Sequence, residues 1–193
     1  MQSNISHLIR AFKNMPTSIF VIDNYDSFTF NLVHLLEQLN VLIEVRRNDA
    51  FDIAELEAFS HILISPGPGL PQEAGKTMQV IETYLGKKSM LGVCLGMQAL
   101  LQHAGAEIQN MKTVQHGAQS KIDVLSDSKL FKGLPNKINV GRYHSWAFET
   151  DELPSDYREV SRSEDGYLMA VQHKELDVQG VQFHPESIMT EFG

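Results

Sequence analysis

The residues best suited to chemistry fall in Ser89-Met90-Leu91-Gly92-Val93-Cys94-Leu95-Gly96-Met97-Gln98. An apolar strand here runs into a sharp turn and then a helix start. The only cysteine of the chain sits at the turn, with a glycine two residues away on each side. This Gly-x-Cys-x-Gly pattern is the thiol counterpart of the nucleophile elbow. Side chains at the two flanking positions would crowd the neighbouring strand and helix, and Gly92 and Gly96 relieve that crowding. The segment Leu95 to Ala104 reads as the helix. A helix N-terminus favours negative charge, and hence a thiolate at Cys94. It also leaves the Leu95 N–H free to meet a developing oxyanion. Taken alone, a lone cysteine reads as a small buried hydrophobe. The glycine pair and the strand-to-helix switch favour the nucleophile.

A nucleophile needs a base, and Gly180-Val181-Gln182-Phe183-His184-Pro185-Glu186-Ser187 supplies a candidate. Pro185 restricts His184 to extended backbone. In extended backbone, residues two apart point the same way. His184 and Glu186 can therefore act together, the carboxylate holding the imidazole while the imidazole exchanges a proton with Cys94.

The other histidines carry less. His34 and His103 fall on helices and read as surface or packing residues. His7 and His173 lack a supporting context, and His61 opens a strand. His116 (before Gly117) and His144 (in Tyr143-His144-Ser145) sit in polar, turn-like contexts and stay open. No pair has the spacing of a metal site, so no metal and no cofactor is expected. The loop Pro66-Gly67-Pro68-Gly69 reads either as a stiff surface turn or as backbone that approaches a substrate and donates an N–H to its oxyanion. It lacks the Gly-Lys-Ser/Thr ending of a phosphate-binding loop.

The elements that must position these groups alternate. Ser18–Asp23 is an apolar strand. Asn24-Tyr25-Asp26-Ser27-Phe28-Thr29 is a polar and aromatic loop at its end. Leu32, Leu35, Leu36 and Leu39 then make a helical stripe. Ile43–Val45 is a second strand. Asp52 caps a short helix through Phe59, and His61–Ser65 is a third strand. Glu73 to Leu85 reads as a helix facing inward with Met78, Ile81 and Leu85, and Ser89–Val93 leads into the elbow. This alternation predicts an α/β fold, with a mostly parallel central sheet and helices on both faces. Ligands then sit at the carboxyl ends of the strands, where the Asn24 loop, the Gly67 loop and Cys94 all lie. Beyond residue 118 the strands Ser120–Leu125, Lys137–Tyr143, Tyr157–Ser161, Tyr167–His173 and Val178–Phe183 follow one another. The one intervening helix is short, at Asp127–Lys132. The sheet is thus expected to be extended by antiparallel strands in its C-terminal half.

At 193 residues, with 42% apolar and 21% charged side chains, the chain has the composition of a globular protein with a substantial core. A net charge of −8 and no basic run argue against nucleic acid. One cysteine beside eight methionines suits a reducing compartment, so a cytoplasmic location is expected. No apolar run reaches membrane-spanning length. Residues 1–17 carry no signal-peptide pattern and read as an N-terminal extension, with a single domain over residues 18–193.

Four motifs together resemble the class I, triad-type glutamine amidotransferases. They are Ser65-Pro66-Gly67-Pro68-Gly69, Gly92-Val93-Cys94-Leu95-Gly96-Met97-Gln98, Tyr143-His144-Ser145 and Val181-Gln182-Phe183-His184-Pro185-Glu186-Ser187. They are co-linear with the family and span nearly all of residues 18–193. Asp23-Asn24-Tyr25-Asp26-Ser27-Phe28 narrows the resemblance to the small subunits of anthranilate synthase and aminodeoxychorismate synthase. The resemblance implies that L-glutamine is the substrate. Cys94, His184 and Glu186 would be catalytic, by way of a γ-glutamyl thioester. The backbone of Leu95 and of Gly67, Pro68 and Gly69 would hold the oxyanion. Gln98 and the Ser145-Trp146 backbone would bind glutamine. Ammonia would pass to a separate chorismate-binding synthase subunit, in a heterodimer or heterotetramer, with the Asn24–Thr29 loop near the interface. The tryptophan branch is the first expectation and the folate branch the second.

Three positions depart from the family pattern. Ala118 stands where many relatives carry a basic residue that bears on partner contacts. Trp146 stands where leucine is more frequent. Relatives also continue past the position of Gly193 into a C-terminal helix. Two other classes are weighed as well. A non-catalytic partner-binding module conflicts with the presence of Cys94, His184 and Glu186 together. A Cys–His hydrolase of γ-glutamyl peptides conflicts with the small size and the Asn24–Phe28 loop.

Overall fold

In the computed structural model, residues 17–125 and 128–193 are described. The expected extension therefore lies outside them apart from Thr17, as does Asp127 of the short helix read at 127–132. Four strands open the chain: β1 (Ser18–Asp23), β2 (Leu42–Arg47), β3 (His61–Ile64) and β4 (Ser89–Val93). They are joined by helices α1 (Thr29–Glu37) and α2 (Thr77–Tyr84) and by a 3₁₀ turn, Ile53–Ala58. In that turn the Glu55 carboxylate accepts the Asp52 N–H at 2.8 Å, as a capping box does. Helix α3 (Leu95–His103) follows β4 directly. Then come β5 (Gln109–Asn110), β6 (Ala118–Val124), β7 (Lys137–Arg142), β8 (Trp146–Ala147), β9 (Tyr157–Ser163), β10 (Leu168–His173) and β11 (Val178–Val181).

Nine strands form one sheet in the order β2-β1-β3-β4-β11-β10-β9-β6-β7, and β5 pairs with β8 separately. The pairings from β2 through to β11 are parallel, and those from β11 to β7 are antiparallel. This is the expected architecture. Alternation along β1 and β3 divides the core in two. Phe20, Ile22, Ile62 and Ile64 pack with Val80, Ile81 and Tyr84 of α2 and Met97 and Leu100 of α3. Ile19, Val21 and Leu63 pack on the other face with Leu32 and Val33 of α1.

Two helices differ from expectation. Glu73–Leu85 is not one helix, because Gly75 takes φ +52° and separates a 3₁₀ turn at Pro71–Glu73 from α2. The inward face of α2 is Thr77, Val80, Ile81 and Tyr84. In α1 only Thr29, Leu32 and Val33 are buried. Leu35 and Leu39, read as part of its apolar stripe, are exposed.

The glycine pair around Cys94 is required by contact. A Cβ at Gly92 would lie 2.4 Å from the carbonyl carbon of Gly96, and one at Gly96 would lie 2.3 Å from the carbonyl oxygen of Ile64. Both obstacles are backbone, so nothing flexible can yield. Gly96→Ala is expected to destabilise the fold by about 3 kcal/mol, the upper range for overpacking. Urea denaturation checks this, and an unchanged midpoint would show that the β4–α3 turn is free to shift.

Candidate active site

Cys94 caps α3 with φ 52° and ψ −104°. A residue bearing a Cβ rarely adopts this conformation, which costs ~1–3 kcal/mol and persists only where the surroundings enforce it. Here the Cys94 N–H donates to the Val181 carbonyl at 2.7 Å, and the Cys94 carbonyl accepts from Gln98 N–H at 3.1 Å. The thiol is 5% exposed. As the first residue of α3, Leu95 has no intrahelical acceptor for its N–H.

β11 brings the second motif beside β4 in parallel register, with Val181 against Val93. His184 follows and is pinned by its N–H donating to the Gly141 carbonyl at 3.0 Å. Its Nδ1 lies 2.7 Å from Glu186 Oε1, and both side chains are buried. Its Nε2, the nitrogen left for Cys94, is buried and makes no full hydrogen bond. Burial pushes the imidazole pKa down. Hydrogen-bonding attraction from Cys94 and Glu186, and the charge on each, outweigh that and raise it to about 10. The rings of Phe28 and Tyr143 stand 5.4 Å and 4.9 Å from the His184 ring, both edge-on, and exclude water from it.

A cavity of about 150 Å³ opens above Cys94, lined by Gly67, Pro68, Gly69, Gln98, Tyr143, His144, Ser145 and Trp146. Most of the residues read from the sequence as substrate-binding therefore meet here. Leu95 is buried and stands in reach of this wall through its backbone only. The Gly67 loop is held by Asn24. The Asn24 N–H donates to Ser65 Oγ and its Nδ2 to the Ser65 carbonyl, each at 2.9 Å. Asn24 Oδ1 accepts from Asn48 Nδ2 at 3.0 Å and Thr77 Oγ1 at 2.8 Å. A Cβ at Gly67 would lie 2.6 Å from that of Asn24, so glycine here serves the packing of loop on loop.

Gln98 is engaged from behind. Its Nε2 donates to the Trp146 carbonyl at 3.0 Å and to Gln182 Oε1 at 3.1 Å. Gln182 Nε2 in turn lies 3.5 Å from Cys94 Sγ. The sequence reading missed Gln182 as a contact of the thiol. The signal was present, since Gln182 lies two residues before His184 in an extended run. Phe28 was missed for want of any local cue. Of the two histidines left open, His144 is buried in the cavity wall and His116 is exposed and outside it. His34 and His103 are exposed on their helices. Among the described residues no three histidine, cysteine, aspartate or glutamate side chains gather as metal ligands do. No helix among them is long and apolar enough to cross a membrane.

The molecule is thus an α/β protein built around a thiol elbow at the carboxyl edge of a mostly parallel sheet. The sequence matches the glutamine amidotransferase class-I family over residues 20–193, and the chain belongs to that family. It is 44% identical over 177 residues to the aminodeoxychorismate synthase component 2 of Escherichia coli strain K12, covering 91% of this chain and 94% of that protein. It is 44% identical over 182 residues to the anthranilate synthase component 2 of Pseudomonas aeruginosa, covering 91% and 90%. The crystal structure of a putative GMP synthase protein from Thermoplasma acidophilum superposes with a TM-score of 0.83 at 27% identity, over 93% of this chain and 89% of that one.

Proposed function

We propose that the chain is the glutaminase component of a chorismate-using synthase, and that its product ammonia serves anthranilate formation. The observation that carries the chemistry is the His184–Glu186 pair at 2.7 Å beside a thiol held at a helix N-terminus. In this reading Cys94 Sγ attacks the side-chain amide carbon of L-glutamine. The tetrahedral oxyanion meets the N–H groups of Leu95 and the Gly67 loop. His184 gives its Nε2 proton to the departing nitrogen, which leaves as ammonia, and a γ-glutamyl thioester remains. Water, deprotonated by His184, then cleaves the thioester to glutamate and frees the thiol. Glu186 stays ionised throughout and holds the imidazole tautomer. Ser145, Trp146 and Gln98 form the wall that receives the amino-acid end of the substrate. Such chemistry takes place in the cytoplasm, where chorismate is made.

The partner is a chorismate-binding subunit docked near the Asn24–Thr29 loop. The segments Tyr143-His144-Ser145-Trp146 and His116-Gly117-Ala118 favour the tryptophan branch. The relatives carry names from both branches, so aminodeoxychorismate for folate is the second reading. Mixing the protein with each candidate partner, chorismate and glutamine, and identifying the aromatic product, decides between them. Anthranilate from one pairing alone is expected. 4-Aminobenzoate after lyase treatment would install the folate branch, and no glutamine-dependent product from any pairing would overturn the proposed role.

A further inference from the structure

Arg142 ends β7 inside the protein, with 1% of its surface exposed. A buried guanidinium is costly unless its charge and its donors are met. Its NH1 donates to both carboxylate oxygens of Asp165, at 3.0 and 3.1 Å. Its Nε lies 3.1 Å from His144 Nε2. Arginine can only donate, so His144 Nε2 must be the acceptor and the imidazole proton must sit on Nδ1. That Nδ1–H donates to the Trp146 carbonyl at 2.9 Å. Burial, then the Arg142 charge, hold the His144 pKa down to about 4, so this ring is neutral in the working range.

The Trp146 carbonyl thus receives two donors, His144 Nδ1 and Gln98 Nε2. Met111 N–H donates to the Ser145 carbonyl at 2.8 Å, and Asn110 lies opposite Trp146. In an antiparallel ladder this makes Trp146 a member of the non-hydrogen-bonded pair, with its N–H and C=O both turned away from β5. Fixing the carbonyl fixes the N–H on the same edge, at residues that line the cavity over Cys94.

We propose that Asp165, Arg142 and His144 are positioning residues for the substrate. Together they lock the one imidazole tautomer that can hold the Trp146 peptide in its binding orientation for a carboxamide-bearing amino acid. The inference rests on the reading of Cys94 as the nucleophile. None of the three residues need touch the substrate. The chain of contacts spans from a partly exposed carboxylate to the cavity wall, and it acts on ground-state binding and not on thiol reactivity.

Two alkylating probes separate these roles. Iodoacetamide reports the thiol alone, and a glutamine-shaped chloromethyl ketone reports the thiol plus substrate placement. His144→Gln keeps a group that can accept from Arg142 but loses the donor to Trp146. His144→Asn keeps a donor at the Nδ1 position. His144→Gln is expected to slow chloromethyl ketone labelling of Cys94 by about tenfold, the value of one good hydrogen bond. It should raise KM for glutamine by a similar factor, while iodoacetamide labelling and kcat stay within about twofold. His144→Asn should restore most of the loss. Asp165→Asn, at a partly exposed site that a folded chain tolerates, is expected to give the same selective slowing at about threefold. Equal slowing with both probes, or no slowing in Asp165→Asn, would overturn the inference. If the unsubstituted protein itself is not labelled at Cys94 by the ketone and protected by glutamine, the nucleophile assignment fails and takes this inference with it.

Discussion

Cys94→Ser is expected to abolish glutamine-dependent synthesis, with glutamine hydrolysis falling by at least ~10⁴-fold, while ammonia-dependent synthesis by the partner continues. Serine keeps the volume and the backbone. The strained φ of 52° is enforced by the Val181 carbonyl, by the Gln98 N–H and by glycines on both sides, none of which the substitution touches. The fold should therefore survive, with a melting temperature within a few degrees of the parent. What changes is the nucleophile. A thiol ionises near neutrality and attacks as the anion. An alcohol must lose its proton during attack, and this site sets its base to stabilise a neighbouring anion and not to abstract from an alcohol. The imidazole pKa is raised to about 10, with Cys94 among the causes, so His184 carries its proton at pH 7. A protonated base cannot activate serine. The measurement is glutamate release by the assembled pair, set against product formed from ammonium salts. Loss of both activities together would mean that Cys94 supports the assembly and not the chemistry.

The same contacts explain what could be read from the sequence. The elbow was legible because its two glycines answer to backbone atoms, those of Gly96 and Ile64, and such contacts tolerate no other residue. The His184–Glu186 pair was legible because Pro185 forces extended backbone, and two residues of extended backbone return to the same side. Period-two alternation placed β1 and β3 at the centre of the sheet, with opposite faces given to α1 and to α2 with α3. Period alone failed at α1. Leu35 and Leu39 continue the stripe arithmetically, but the buried set of α1 is Thr29, Leu32 and Val33, all in its first five residues. Gly75 ended the predicted helix at 73–85 through its own φ, a tertiary choice with no local marker. The strands β5 and β8 have two residues each and carry no period. Arg142 was hidden for another reason. A charged residue at the end of a strand reads as solvated, and only the fold shows that Asp165 and His144 close around it.

Glu186→Gln is expected to lower glutamine hydrolysis by about 10²-fold, less than the ~10⁴-fold or greater loss from His184→Ala. The two substitutions remove different things. His184→Ala removes the proton carrier, and with it both the protonation of the departing nitrogen and the activation of water. Glu186→Gln keeps an oxygen that can accept from Nδ1 at the same 2.7 Å, so the tautomer and the ring orientation survive. Its new amide nitrogen takes the place of Oε2, which is buried and has no hydrogen-bond partner. The loss is therefore one of charge. The carboxylate is among the groups that hold His184 protonated against burial, so removing it lowers the imidazole pKa. That has a signature in stability as well as in rate. A histidine whose folded pKa lies above its unfolded value stabilises the fold fully below pH ~6.5 and loses that contribution as pH rises through the folded value. The parent should thus exceed Glu186→Gln in urea midpoint at pH 6, and the gap should narrow as pH climbs from about 6.5 toward about 10. NMR titration of the imidazole follows the same shift directly. Equal rate losses from the two substitutions would assign Glu186 a part in proton transfer itself. A stability gap that stays constant with pH would place its contribution in packing. The combination expected here, a smaller rate loss with a gap that closes at high pH, is what a buried carboxylate produces when its function is to keep one imidazole oriented and charged.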